Sequence, residues 1–168
     1  MWSSSAMRTS LTVLGAAFVV AACGFHLRGY APLTFSTLYI SAPGNAPILT
    51  DLKRAIEGNG GTKLVDKPTE AQAILDITAV VDDKQVLSLT SGGRVQEYAL
   101  SKRVNFSLHD AAGKELMPAA EIIIRRSYTF NESEVLARLS EEERTLKEMQ
   151  ADAVQQILRR LQAAKAPS

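Results

Sequence analysis

Val86-Leu87-Ser88-Leu89-Thr90-Ser91-Gly92-Gly93-Arg94-Val95-Gln96-Glu97-Tyr98 is the stretch that decides the fold. Ser91-Gly92-Gly93 signals a hairpin, because glycine takes the positive φ that a tight turn needs. Upstream, Ala73 to Val81 alternates, and the pattern predicts Leu75, Ile77, Ala79 and Val81 on one face, with Asp76, Thr78 and Asp82 mostly on the other. That strand continues through Val86, Leu87 and Leu89. Downstream, a strand from Val95 to His109 places Tyr98, Leu100, Val104, Phe106 and Leu108 on one face, and Glu97, Ser101, Arg103, Asn105 and Ser107 on the other. Lys102 falls on the apolar face, where a lysine near a sheet edge is expected to snorkel to water.

Working outward, Asp110-Ala111-Ala112-Gly113 makes a second turn, and a further strand is expected over Ile122 to Phe130. On the N-terminal side, Thr37 to Ser41 is β-branched and aromatic and is bounded by Pro43-Gly44-Asn45. Between it and Ala73, Ile48, Leu49, Leu52, Ala55 and Ile56 recur at helical spacing after Pro47, until Gly58-Asn59-Gly60-Gly61 stops the run. A last helix is predicted from a capping box at Ser140 and Glu143 to about Ala164, with Leu146, Met149, Ala153, Val154, Ile157, Leu158 and Leu161 on its apolar stripe. The order β-α-β-β-β-α predicts an α+β two-layer sandwich, two helices packed on a four-stranded mixed sheet. The first two strands are candidates for parallel pairing, and the last three form an antiparallel meander.

Residues 1–22 carry one charge, Arg8, and removing them leaves 146 residues with 18 basic and 18 acidic side chains. A neutral body gives no reason to expect nucleic acid, and a single cysteine excludes an intramolecular disulfide. A hydrophobic content of 46% against 22% charged residues excludes wholesale disorder. The apolar run Leu11 to Ala22 follows Arg8 and ends in small residues directly before Cys23, the arrangement of an export signal. It is shorter than the ~20 apolar residues of a membrane-spanning helix. Met1 and Met7 both fit as its start. Val20-Ala21-Ala22-Cys23 resembles the bacterial lipobox, whose cysteine carries diacylglycerol and an N-palmitoyl chain after cleavage. The expected organisation is a signal peptide over 1–22, a lipidated N-terminus and tether over 23–36, one domain over 37–164 and a short tail over 165–168. Such an anchor holds a protein to a membrane far better than one acyl chain does.

Catalysis finds little support. His26 and His109, the only histidines, stand far apart without acids or cysteine at ligand spacing, so neither a metal nor a cofactor is expected. His26 falls in the tether, and His109 reads as a solvated imidazole at a strand end. Gly60-Gly61 and Gly92-Gly93 lack the setting of a phosphate loop. Asp82 and Asp83, adjacent on a strand, point to opposite faces and make a poor acid–base pair. Glu141-Glu142-Glu143 suits the first turn of the last helix. Binding groups are better represented: Arg94 at the hairpin tip, Arg103, Arg125, Arg126, and Arg138 before the last helix could converge on an anion, since the guanidinium fork holds phosphate oxygens in pairs.

Cys23-Gly24-Phe25-His26-Leu27-Arg28-Gly29 resembles the start of mature lipoproteins of the LptE family, with further matches in Leu52 to Lys67, Glu97-Tyr98, Arg126-Ser127-Tyr128, Lys147-Glu148-Met149 and Ile157 to Leu161. The resemblance implies two helices on a four-stranded sheet and a non-enzymatic outer-membrane lipoprotein. Its implied partner is the β-barrel LptD, whose lumen it plugs and whose assembly it assists while lipopolysaccharide reaches the outer leaflet. It also implies lipopolysaccharide contacts at basic residues near the central hairpin and before the last helix, for which Arg94 and Arg138 are the candidates. Two rivals are a lipid-anchored envelope hydrolase, expected to show His109 with a carboxylate and a nucleophile in a deep pocket, and an accessory lipoprotein of another envelope transporter.

Overall fold

Two glycine turns build the centre of the sheet. A computed structural model describes residues 32–44, 46–130 and 135–165, with side chains of the last segment described from Ser140 onward. The signal segment, Cys23 and the tether through residue 31 lie outside the described residues. In chain order the elements are β1 (Thr37–Ser41), α1 (Ile48–Asn59), β2 (Lys63–Leu64), β3 (Ala73–Leu89), β4 (Val95–His109), β5 (Glu115–Thr129) and α2 (Val135–Gln162), with one 3-10 turn at Pro68–Glu70. At the β3–β4 turn the Thr90 N–H donates to Arg94 O at 2.7 Å and the Gly93 N–H to Thr90 O at 2.9 Å, with Gly93 at φ +76°. The β4–β5 turn repeats this pattern at Asp110 and Lys114, with Gly113 at φ +83°. Both are three-residue hairpin loops whose last residue must be left-handed, which is why glycine stands there.

The sheet runs β2-β1-β3-β4-β5. β1 is parallel to β2 and β3, while β3, β4 and β5 form the expected antiparallel meander. The sheet thus has a fifth strand, β2, whose two residues in Gly61-Thr62-Lys63-Leu64 are too few to show an alternation. β5 begins at Glu115, seven residues before the predicted start, running through Pro118, which an edge strand tolerates. α2 likewise begins by Val135, so Ser140 lies inside the helix and does not cap it. α1 stops at Gly60, whose φ of +72° ends the helix while its N–H reaches Glu57 O.

A bulge corrects the predicted faces of β3. Ile77 pairs with Phe106 but Ala79 pairs with Asn105, so Thr78 is an extra residue and the alternation shifts by one. Leu75 and Ile77 face the helices; beyond the bulge Val80, Asp82 and Lys84 lie on that side, and Ala79, Val81 and Asp83 turn to the opposite face. Apolar faces of β1, β3, β4 and β5 meet α1 through Ile48, Leu52 and Ile56, and α2 through Met149, Ala153, Val154, Ile157, Leu158 and Leu161. Burial of these side chains, worth ~1.5–3 kcal/mol for each large one, holds the layers together. The other sheet face presents short side chains along its distal part, among them Ala79, Ala99, Ser101 and Ser127, with Val81 and Ile123 exposed.

Candidate functional site

α1 spans only twelve residues, so it covers the base of β3 and leaves the distal strand beside α2 open. Cross-strand rows set what stands there: Asp82 opposite Lys102, Lys84 opposite Leu100, Val86 opposite Tyr98. Lys102 is not the snorkelling residue expected. Its side chain is 3% exposed and its Nζ lies 2.6 Å from Oδ1 of Asp82, itself 49% exposed. The bulge at Thr78 brings Asp82 to this face and so supplies the counter-ion; without that shift the carboxylate would point away.

One row on, Lys84 Nζ donates to Glu142 Oε2 at 2.5 Å, and the Tyr128 hydroxyl donates to the same oxygen at 2.6 Å. The ammonium also lies 4.3 Å from the Tyr98 ring centre, a cation–π distance. Phe130 packs edge-on against Tyr98. Burial alone would lower the Lys84 pKa, but hydrogen bonds to Glu142 and Tyr128 outweigh it and hold the ammonium above the ordinary lysine value. Burial would raise Glu142, yet hydrogen bonds from Lys84 and Tyr128 pull its carboxyl below the usual range. Burial and the Glu142 carboxylate push the Tyr128 phenol up. This cluster ties β3, β4 and β5 to α2, giving Glu142 a tertiary role in place of the first-turn role expected. Sequence reasoning missed it because its members are separated by up to 58 residues and only the strand registers align them.

Arg94, Arg103, Arg125 and Arg126 do not converge on one point. Arg103 and Arg125 lie on the open face, where Arg103 pairs with Glu121 at 3.3 Å. Arg126 lies on the helix side, 3.7 Å from Asp152. Arg94 stands at the hairpin tip, ~23 Å along the sheet from the row of Arg125 and its partner Ser101, by about seven residues of strand rise. The backbone of Arg138 belongs to the first turn of α2, and its side chain lies outside the described residues, as Cys23 does entirely.

His109 is ion-paired, not solvated. Its Nε2 lies 2.7 Å from Asp76 Oδ2, and Nδ1 lies 2.8 Å from Asp110 O, which can only accept. Both nitrogens thus face acceptors, an arrangement that favours the protonated ring. The Asp110 carbonyl contributes most and Asp76 adds to it, so the pKa rises despite the opposing effect of burial. Neither nitrogen is bonded to a hydroxyl or thiol among the described residues, as the hydrolase constellation requires. Among the described residues no group of three or more His, Cys, Asp or Glu could hold a metal, and no helix is long and apolar enough to cross a membrane.

Solved structures share this architecture. Lipoprotein B from Nitrosomonas europaea is 42% identical, with 83% of this chain and 91% of that one covered at a TM-score of 0.74. The rare lipoprotein B from Shewanella oneidensis is 27% identical, with coverages of 76% and 95% and a TM-score of 0.66. Fold and relatives define the class: a bacterial envelope lipoprotein built as a two-layer α+β domain. A model of the LptE lipopolysaccharide-assembly family matches residues 35–161, so the chain belongs to that family. The LPS-assembly lipoprotein LptE of Photorhabdus laumondii is 27% identical over 154 residues, spanning 87% of this chain and 80% of the relative.

Proposed function

We propose that this protein is an outer-membrane lipoprotein that, with the β-barrel LptD, forms the translocon placing lipopolysaccharide in the outer leaflet. Membership in the LptE family over residues 35–161 is the observation that carries this reading. Cys23 is the lipidation site, joining the domain to the inner leaflet by diacylglycerol and an N-palmitoyl chain, and the domain sits in the barrel lumen as plug and assembly factor without catalysing a reaction. Lipopolysaccharide contact falls to Arg94 and Arg138. From Gln85 to Gln96 the hairpin carries no charge except Arg94, while Val86, Leu87 and Leu89 are exposed beside it. A guanidinium next to exposed apolar side chains suits an amphiphile with phosphate next to hydrocarbon. The decisive test is copurification with tagged LptD from solubilised membranes, together with depletion of this protein. Co-elution, and loss of folded barrel on depletion, are expected; a barrel that assembles and exports lipopolysaccharide normally without the protein refutes the reading.

A further inference from the structure

Two long stretches of sheet edge, along β5 and along the distal part of β3, are finished differently. Along β5, Arg160 donates to Glu121 O at 3.1 Å, Arg126 to Arg125 O at 3.0 Å, and the Lys165 N–H to Leu116 O at 3.4 Å, so this chain occupies several carbonyls of its own. Along β3, pairing with β1 ends at Asp76, while β3 continues to Leu89 with only β4 beside it. Among the described residues no backbone hydrogen bond leaves the outer edge of residues 79–89. Four of the five exposed large apolar residues, Val81, Val86, Leu87 and Leu89, lie on this one strand. Exposed edges invite pairing, and proteins that avoid it place uncompensated charge there. Here Asp82 is neutralised by Lys102 and Lys84 by Glu142, which leaves Asp83, hydrogen-bonded by Gln85, as the strand's one acid without an ion pair among the described residues.

We propose that the outer edge of β3, from Ala79 to Leu87, is a strand-addition site that receives an extended polypeptide segment of the barrel partner. The inference rests on the partnership proposed above. Unpaired N–H and C=O groups spaced along an extended strand are satisfied together only by another extended backbone, which fixes the occupant as polypeptide rather than lipid. The side chains set its pattern: apolar residues beside Val81 and Leu87, and a basic or hydroxyl residue beside Asp83.

The test uses the full-length lipoprotein with tagged LptD. Amide hydrogen exchange of residues 79–87 is compared in the free protein and the complex, and barrel recovery is measured for Val81→Lys with Leu87→Lys against an Ile123→Lys control on the open face. Alternate amides of the segment are expected to exchange at least tenfold more slowly in the complex. The double variant, folded by circular dichroism, is expected to recover less than a tenth of the barrel that the control recovers. A complex that forms while these amides exchange at the free rate overturns the strand-addition site and leaves the partnership standing. Slowing that accompanies self-association, with no barrel present, overturns it in favour of a second copy of this chain. Failure of the wild-type chain to recover any barrel refutes the partnership and this inference with it.

Discussion

Asp82→Ala and Lys102→Met disrupt the same ion pair from opposite ends, and the structure predicts unequal costs. Lys102 Nζ is buried on the helix side of β4, between the rows of Leu100 and Val104 and opposite Ile124, and its salt bridge is to Asp82. Removing the carboxylate strands the ammonium away from water. Breaking a buried pair from one end costs ~3–5 kcal/mol, and because Asp82 is itself half exposed we place the loss below that range, at ~2–3 kcal/mol. Lys102→Met removes the buried charge, keeps an unbranched apolar stem among apolar neighbours, and leaves Asp82 where water already reaches it. Its expected effect lies within ~1 kcal/mol of zero. Urea unfolding at neutral pH reads both, and for a domain of this size the Asp82→Ala loss corresponds to a Tm lower by about 10 °C. The double variant should recover most of that loss, because no ammonium remains to be stranded. If Lys102→Met costs as much as Asp82→Ala, or Asp82→Ala costs under ~0.5 kcal/mol, the lysine does not depend on this carboxylate and the account of the bulge is wrong.

The His109 clasp predicts a pH dependence. Its folded pKa is raised above the ordinary ~6.5, so its contribution is complete below that value and is lost as pH rises through the folded pKa. Melting curves from pH 5.5 to 8.5 should therefore fall more steeply for the wild type than for His109→Gln; parallel curves would remove the imidazolium from the account. Glu142 behaves oppositely: its lowered pKa gives stability present above ~4.3 and lost as pH falls through the folded value, so Glu142→Gln should flatten the acid limb of the same curves. Phe106→Ala empties a core site that is 1% exposed and removes the ring under the Arg160 guanidinium, for an expected ~3–5 kcal/mol in urea unfolding. A loss under ~1.5 kcal/mol would mean that the sheet closes over the gap. Arg94→Asp with Arg138→Asp should weaken binding of lipopolysaccharide in vitro at least tenfold with an unchanged melting curve, and an unaltered affinity would reject both contacts.

The meander was legible because each turn carries its glycine at the one position that must be left-handed and because β4 alternates over the predicted Val95 to His109. The two helices followed from their apolar spacing. What escaped was decided by pairing. Nothing local marks Thr78 as a bulge, since threonine is an ordinary strand residue, and only opposite Asn105 and Phe106 does it become surplus. From that one residue follow the faces of Ala79, Val81 and Asp82, and hence the partner of Lys102. Ser140 and Glu143 misled for the complementary reason: a capping box is a local signal, and here the helix continues upstream of it. The arginines were singled out by type, but the separation of Arg94, Arg103, Arg125 and Arg126 depends on strand parity and on the reach of the hairpin, quantities a composition cannot hold.

The same parity accounts for how charge is divided over the molecule. Ion pairs on the helix side, Lys102 with Asp82, Lys84 with Glu142 and Arg126 with Asp152, join strand to strand or strand to helix and are consumed in holding the layers together. On the open face Arg103 is matched by Glu121, and His109 by Asp76. With basic and acidic side chains equal in number over the body, the proposed contacts with an anionic ligand call for cations placed away from these pairs. Arg94, beyond the last pairing rows of the hairpin, and Arg138, in the first turn of α2, occupy such positions. The neutral composition and the proposed contacts with a phosphorylated lipid are therefore compatible, since the sheet interior neutralises itself.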